Sequence, residues 1–294
     1  MNQKLFGSLS ILAATIIYAG FGILARIVGF SIPLFYQNAT RNLFAALILG
    51  AIILLNYKRG SWKKMTPYAW KIVCIRALMG ATSFLLFFYT VNNMVIGMAY
   101  FLYYATNTIG GYFLGKLFFQ EKITPIKWLA FVLALTGLSF IYSLNLSNVS
   151  FLLVGAAMLA GALCSGWFII IKKVKNYPSH QLTFLDLVIP FVLYTIVSIM
   201  LQEPWTMPQL TQTWIASFAY GAFFIITGQL VVFGFKKVEA QIGSLIMLAE
   251  IPIATLLAYL IYNETITLLT ALGGILILIA MTLPELAALK KKKT

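Results

Sequence analysis

Long apolar runs follow one another along almost the whole chain, separated by short polar connections. A membrane-crossing helix needs about 20 predominantly apolar residues, at a rise of about 1.5 Å each. Ten runs meet that length, at roughly 6–29, 33–56, 70–91, 94–115, 125–144, 150–172, 181–201, 211–235, 240–262 and 266–286. The pattern predicts an all-α integral membrane protein with ten transmembrane helices. The longest polar stretch, Tyr57 to Pro67, reads as a basic loop and not as a soluble domain. The first run is too long for the core of a signal peptide and lacks a small-residue cleavage site close behind it, so it is expected to be a permanent span.

Composition agrees with the pattern. Apolar residues make up 61% of the chain and charged ones 10%, with a mean hydropathy of +0.93; a soluble domain carries about 25% charged residues. The formal charge of +14 suggests nucleic acid until its distribution is considered. With both ends placed in the cytoplasm, 18 of the 21 Lys and Arg residues fall on the inner connections and tails, and the outer connections hold none. Only Arg26, Arg41 and Arg76 lie within or at the ends of spans. Flanking Lys and Arg set orientation, so both termini are expected in the cytoplasm. The charge then serves topology and attraction to anionic headgroups. The lipid bilayer is the implied partner, and nucleic acid is not. Cys74 and Cys164 sit inside apolar runs and read as packing residues. His180, with no second His near it, gives no metal-ligand spacing, and no cofactor or metal is expected.

The chain also repeats itself. Gln120-Glu121-Lys122-Ile123-Thr124 recurs 143 residues further on as Asn263-Glu264-Thr265-Ile266-Thr267, each after one apolar run and before another. Each half carries five spans, so the second half must lie upside down relative to the first. The Glu121 loop has three lysines and the Glu264 loop none, which agrees with two inverted five-helix repeats, residues 1–145 and 146–294, the second ending in the basic tail. Gly20-Phe21 and Gly166-Trp167 match more weakly. On these residues the chain resembles the EamA-type domain, present twice as in the ten-helix members of the drug/metabolite transporter superfamily. Two departures stand out: Gln120 and Asn263 replace a Gly frequent in the family pattern, and span 4 has Asn107-Thr108 where Pro is common, whereas span 9 has Glu250-Ile251-Pro252. The short connections and compact repeats point to a multi-pass protein of a prokaryotic plasma or inner membrane.

Glu250 is the leading site candidate. It falls about eleven residues into span 9, near midplane, where a carboxylate needs a cavity or a partner. It reads as a proton carrier or as a structural acid satisfied by a neighbour. Its repeat mate is Asn107. Tyr100, Tyr104, Asn107 and Gly111 share one helix face, with Gly243, Met247, Glu250 and Ala254 as mates. Tyr103 lies beside that stripe. These residues line a central site or simply pack. Trp167 reads equally as an interfacial belt residue or a stacking surface, and Gln229 and Tyr18 as lining residues. Arg41 and Arg76 are deep enough to need an acid or a substrate anion, with Asp186 as a structural partner. Glu121 and Glu264 read as caps for the helices that follow them.

Together these readings predict a secondary transporter that moves a small metabolite by alternating access, with its site near midplane between the repeats. An amino acid or related amine-bearing solute is favoured, and protons or an exchanged solute are the candidate coupling partners. The chain has no Gly-x-x-x-x-Gly-Lys-Ser/Thr stretch for ATP. The alternatives are a polytopic enzyme acting on a lipid, against which one His and seven scattered acids speak, and a non-transporting membrane scaffold.

Overall fold

The computed structural model describes residues 3–28, 31–55, 62–94, 96–142, 150–263 and 265–290. Glu264, the side chain of Arg26, Lys58 and Arg59 of the basic loop, and Lys291, Lys292 and Lys293 of the basic tail lie outside the described residues. Among those described, the structure is helical throughout. Helices run α1 (Gln3–Val28), α2 (Leu34–Leu55), α3 (Pro67–Asn93), α4 (Ile96–Phe119), α5 (Pro125–Ile141), α6 (Phe151–Ile169), α7 (Ser179–Met200), α8 (Gln212–Phe235), α9 (Ala240–Met247), α10 (Glu250–Tyr262) and α11 (Leu268–Lys290). A 3₁₀ turn, Ile170–Val174, extends α6.

Helix starts follow local chemistry. Thr66 caps α3 by accepting from the Ala69 N–H, with Pro67 pre-set for the first turn, and Thr211 caps α8 by accepting from the Trp214 N–H. The ends of α4 and α10 use the same device in both halves. Gln120 and Asn263, repeat mates, both adopt the left-handed conformation with φ of 53°. That backbone favours Gly, which gives a physical reason for the Gly common in the family pattern at these positions.

Among the described residues, seven segments are long and apolar enough to cross a membrane, α9 and α10 counting together as Ala240–Tyr262, and α5 and Leu268–Pro284 are shorter apolar helices. The span expected at 240–262 is therefore two helices. Polarity is distributed as lipid requires. Leu47, Phe113 and Leu260 are each more than 60% exposed, while Thr15, Gln181 and Thr227 are fully buried.

The most extensive helix pairings join the two halves: α4 and α3 pack on α6, α1 on α8, α2 on α7 and α5 on α11. At the last of these the backbones nearly touch. A Cβ on Gly137 would meet the Gly273 carbonyl at 2.7 Å, and one on Gly273 would meet the Gly137 carbonyl at 2.5 Å, so only glycine fits. The pairs α3–α6 and α1–α8 exchange under the repeat, and α2–α7 and α5–α11 map onto themselves.

Candidate functional site

The break between α9 and α10 organises the site. Pro252 has no N–H to give, so the α-helical bond to Leu248 is lost. The chain turns instead through shorter bonds: Leu248 N–H to Leu245 carbonyl at 3.2 Å, Ala249 to Ile246 at 3.0 Å and Ile251 to Leu248 at 3.1 Å. A new helix starts at Glu250. Its carboxylate therefore stands at a helix N-terminus in the middle of the span, where the helix dipole favours negative charge.

Tyrosines from several helices lie near that carboxylate. Tyr104 of α4 is within hydrogen-bonding reach of it. Tyr18 of α1, Tyr103 of α4, Tyr142 after α5 and Tyr220 of α8 all lie close enough to feel its charge. The rings also contact one another. Tyr100 and Tyr104 are 6.0 Å apart by centroid, Tyr103 and Tyr104 5.1 Å, and Tyr100 and Tyr142 6.0 Å. Phe87 closes on Tyr100 and Tyr103 at 4.9 and 4.5 Å. On the opposite side Phe21 bridges Tyr18 at 5.2 Å and Tyr220 at 4.1 Å. One carboxylate amid ring faces and hydroxyls suits a protonated amine or a proton in exchange.

Tyr220 connects this chamber to a second compartment. A cavity of about 50 Å³, room for a few waters, lies among Asn38, Arg41, Trp167, Asp186, Tyr194 and Tyr220. Arg41 stacks its guanidinium 4.1 Å above the Tyr220 ring and donates from Nη2 to Gln37 Oε1 at 2.8 Å. Arg76 forms an ion pair with Asp186, and both side chains are at least 96% buried. Trp167 stacks parallel to Phe224 at 6.1 Å. Gly80 makes space for it, since a Cβ there would meet the indole at 3.0 Å.

The EamA-like transporter family model matches residues 5–143 and again 151–283. The chain belongs to the EamA-like transporter family. It is accordingly a multi-pass membrane protein of the drug/metabolite transporter superfamily, with the general transporter-type function of that group. No curated protein matches it significantly. Among solved structures, one titled "Crystal structure of protein" is 16% identical, with a TM-score of 0.81 over 97% of this chain and 98% of the other. That likeness speaks for the fold alone.

Within this EamA-like fold, the residues singled out from sequence separate into groups. Glu250, Tyr100, Tyr103, Tyr104 and Tyr18 meet around the chamber. Asn107 is 96% buried, and its Oδ1 has no hydrogen-bond partner among the described residues. Met247 is buried at the end of α9, with Thr15 Oγ1 3.4 Å from its sulfur. Arg41 and Trp167 line the second compartment, and Arg76 borders it through Trp167, 5.4 Å away. Burial to 6% exposure excludes Trp167 from an interfacial belt. Gln229 lies apart, in a shallow groove with Phe6, Ser10 and Phe233.

Two expectations need correction. His180, expected from the sequence in a cytoplasmic connection, lies in the first turn of α7. Glu121 does not cap the helix that follows it. Its carboxylate accepts the Ala240 N–H at 3.0 and 2.8 Å, so it caps α9 from the other half, and it pairs with Lys172. Sequence reasoning also missed Tyr142 and Tyr220. Asn38, Arg41 and Asn42, spaced one turn apart in an apolar helix, gave a signal for the second compartment.

Proposed function

We propose that this EamA-like protein is a secondary transporter that moves a small amine-bearing solute, such as an amino acid, across a prokaryotic inner membrane. Glu250 holds the amine or, in exchange, a proton. Tyr100, Tyr103, Tyr104 and Tyr18 supply ring faces and hydroxyls, and Asn107 offers a free carbonyl acceptor. Ten spans in two inverted halves, divided near residue 145, expose the site alternately to each side by rocking about the interface. In this reading the lysine-rich face with both termini is cytoplasmic, and the protein is not an enzyme.

The observation that carries the reading is Glu250, half-buried at the head of a broken helix with tyrosines of both halves near it. A carboxylate in the middle of a membrane span is costly without a functional partner. The test is counterflow in proteoliposomes with a mixed metabolite pool read by mass spectrometry, wild type beside Glu250→Gln. Selective accumulation by the wild type, with its pH dependence lost in the variant, is expected. Unchanged pH dependence would remove the proton role from Glu250.

A further inference from the structure

Among the described residues, Arg41 is a deeply placed guanidinium with no carboxylate beside it. Its side chain is 94% buried within α2. The two buried arginines among the described residues are met differently. Arg76 has the Asp186 carboxylate. The contacts of Arg41 are neutral, the Gln37 amide oxygen and the Tyr220 ring. Its Nε is buried with no hydrogen-bond partner among the described residues. Around the cavity, Arg41, Arg76 and Asp186 leave a surplus of one positive charge beside open space. A guanidinium held flat against a ring by a fixed amide keeps its planar fork of donors in place, the arrangement that binds carboxylate and phosphate oxygens in pairs.

We propose that Arg41 forms an oxyanion subsite, so that the transported solute carries a carboxylate or phosphate group which enters the Arg41 cavity. This rests on the transport reading above and narrows it. Tyr220 lies under Arg41 and is near enough to Glu250 to feel its charge, so one solute can present its anion to the first and its amine to the second across that ring. The preferred solute is therefore amphoteric. Arg76, neutralised by Asp186, serves the walls of the cavity.

The same counterflow assay decides the point, with wild type, Arg41→Lys and Arg41→Gln reconstituted at equal, monodisperse levels. The expected result is that every solute accumulated by the wild type bears a carboxylate or phosphate. The identity of those solutes separates the two groups. Arg41→Gln should lose accumulation roughly tenfold or more, the worth of one charged hydrogen bond, while Arg41→Lys should retain part of it. A second readout needs no variant: on wild type, the methyl ester of the accumulated solute should compete roughly tenfold worse than the free acid. Accumulation of solutes lacking an oxyanion, or equal competition by acid and ester, overturns the oxyanion subsite and leaves transport standing. No accumulation of any solute by folded wild type overturns the transport reading and the subsite with it.

Discussion

Replacing Glu121 by Ala should destabilise the protein far more than its position in a short connection suggests. Its side chain is 7% exposed and that of Lys172 15%. The variant strands Lys172 with only the Val238 carbonyl at 3.0 Å and the Phe119 ring at 5.1 Å. Breaking a fully buried pair costs about 3–5 kcal/mol; Lys172 is near an aqueous boundary, so the lower part of that range applies. Loss of the acceptor for Ala240 adds about 1 kcal/mol, because Glu239, the residue preceding α9, makes no side-chain cap bond of its own. The total is about 3–4 kcal/mol. The control is Lys4→Ala, which removes an exposed pair with Glu239 (side chains 65% and 31% exposed), worth about 0–1 kcal/mol. Thermal unfolding of purified protein in detergent, followed by tryptophan fluorescence, compares the two. Adding Lys172→Met to Glu121→Ala should recover the part of the loss that comes from the stranded charge. Equal effects of Glu121→Ala and Lys4→Ala, or strict additivity with Lys172→Met, would refute the reasoning.

Arg76→Met alone should be severely destabilising, because it leaves the Asp186 carboxylate buried without a counter-charge, whereas Arg76→Met with Asp186→Leu should regain most of the stability. The same melts test this, and a double variant as weak as the single would count against the pair. Lys236, just beyond α8, donates to the Tyr177 carbonyl at 2.6 Å and to Ser179 Oγ at 3.2 Å. Burial, with the charges of Arg76 and Lys63, pushes its pKa from 10.5 down to about 8. The unfolded chain then binds the extra proton between those values, so stability rises with pH from about 8 to 10.5, and the penalty is fully present below that window. Wild type should gain on Lys236→Met across this interval; parallel pH profiles would contradict the shift.

The spans were legible because lipid demands one simple thing of a segment, a continuous apolar run. The stripe of Tyr100, Tyr104 and Asn107 was legible because helix periodicity is local. Glu250 stood out because charge is rare in such runs, and Pro252 beside it hinted at the break. What could not be read was which helix lies against which. Tyr220 and Tyr142 reach the chamber from distant parts of the chain, and Glu121 caps a helix 119 residues away. Gln229 shows the converse, since a polar side chain in an apolar span carries no mark of the face it occupies. Trp167 was open between belt and cavity because exposure depends on a glycine in another helix, Gly80.

The crosswise pairing of the halves bears on how the protein is made and how it arose. As the first half leaves the ribosome, α1 to α5 enter the bilayer without the partners that their interfaces are shaped for. Those surfaces must wait, solvated by lipid, until α6 to α11 arrive, so assembly is necessarily late and depends on the final helices. A single unduplicated half would face the same lack and could complete its interfaces only with a second copy. Fusion of the two into one polypeptide frees each to diverge, and the chain records that freedom: one half keeps an unbroken α4 with Asn107, the other carries a broken helix with Glu250.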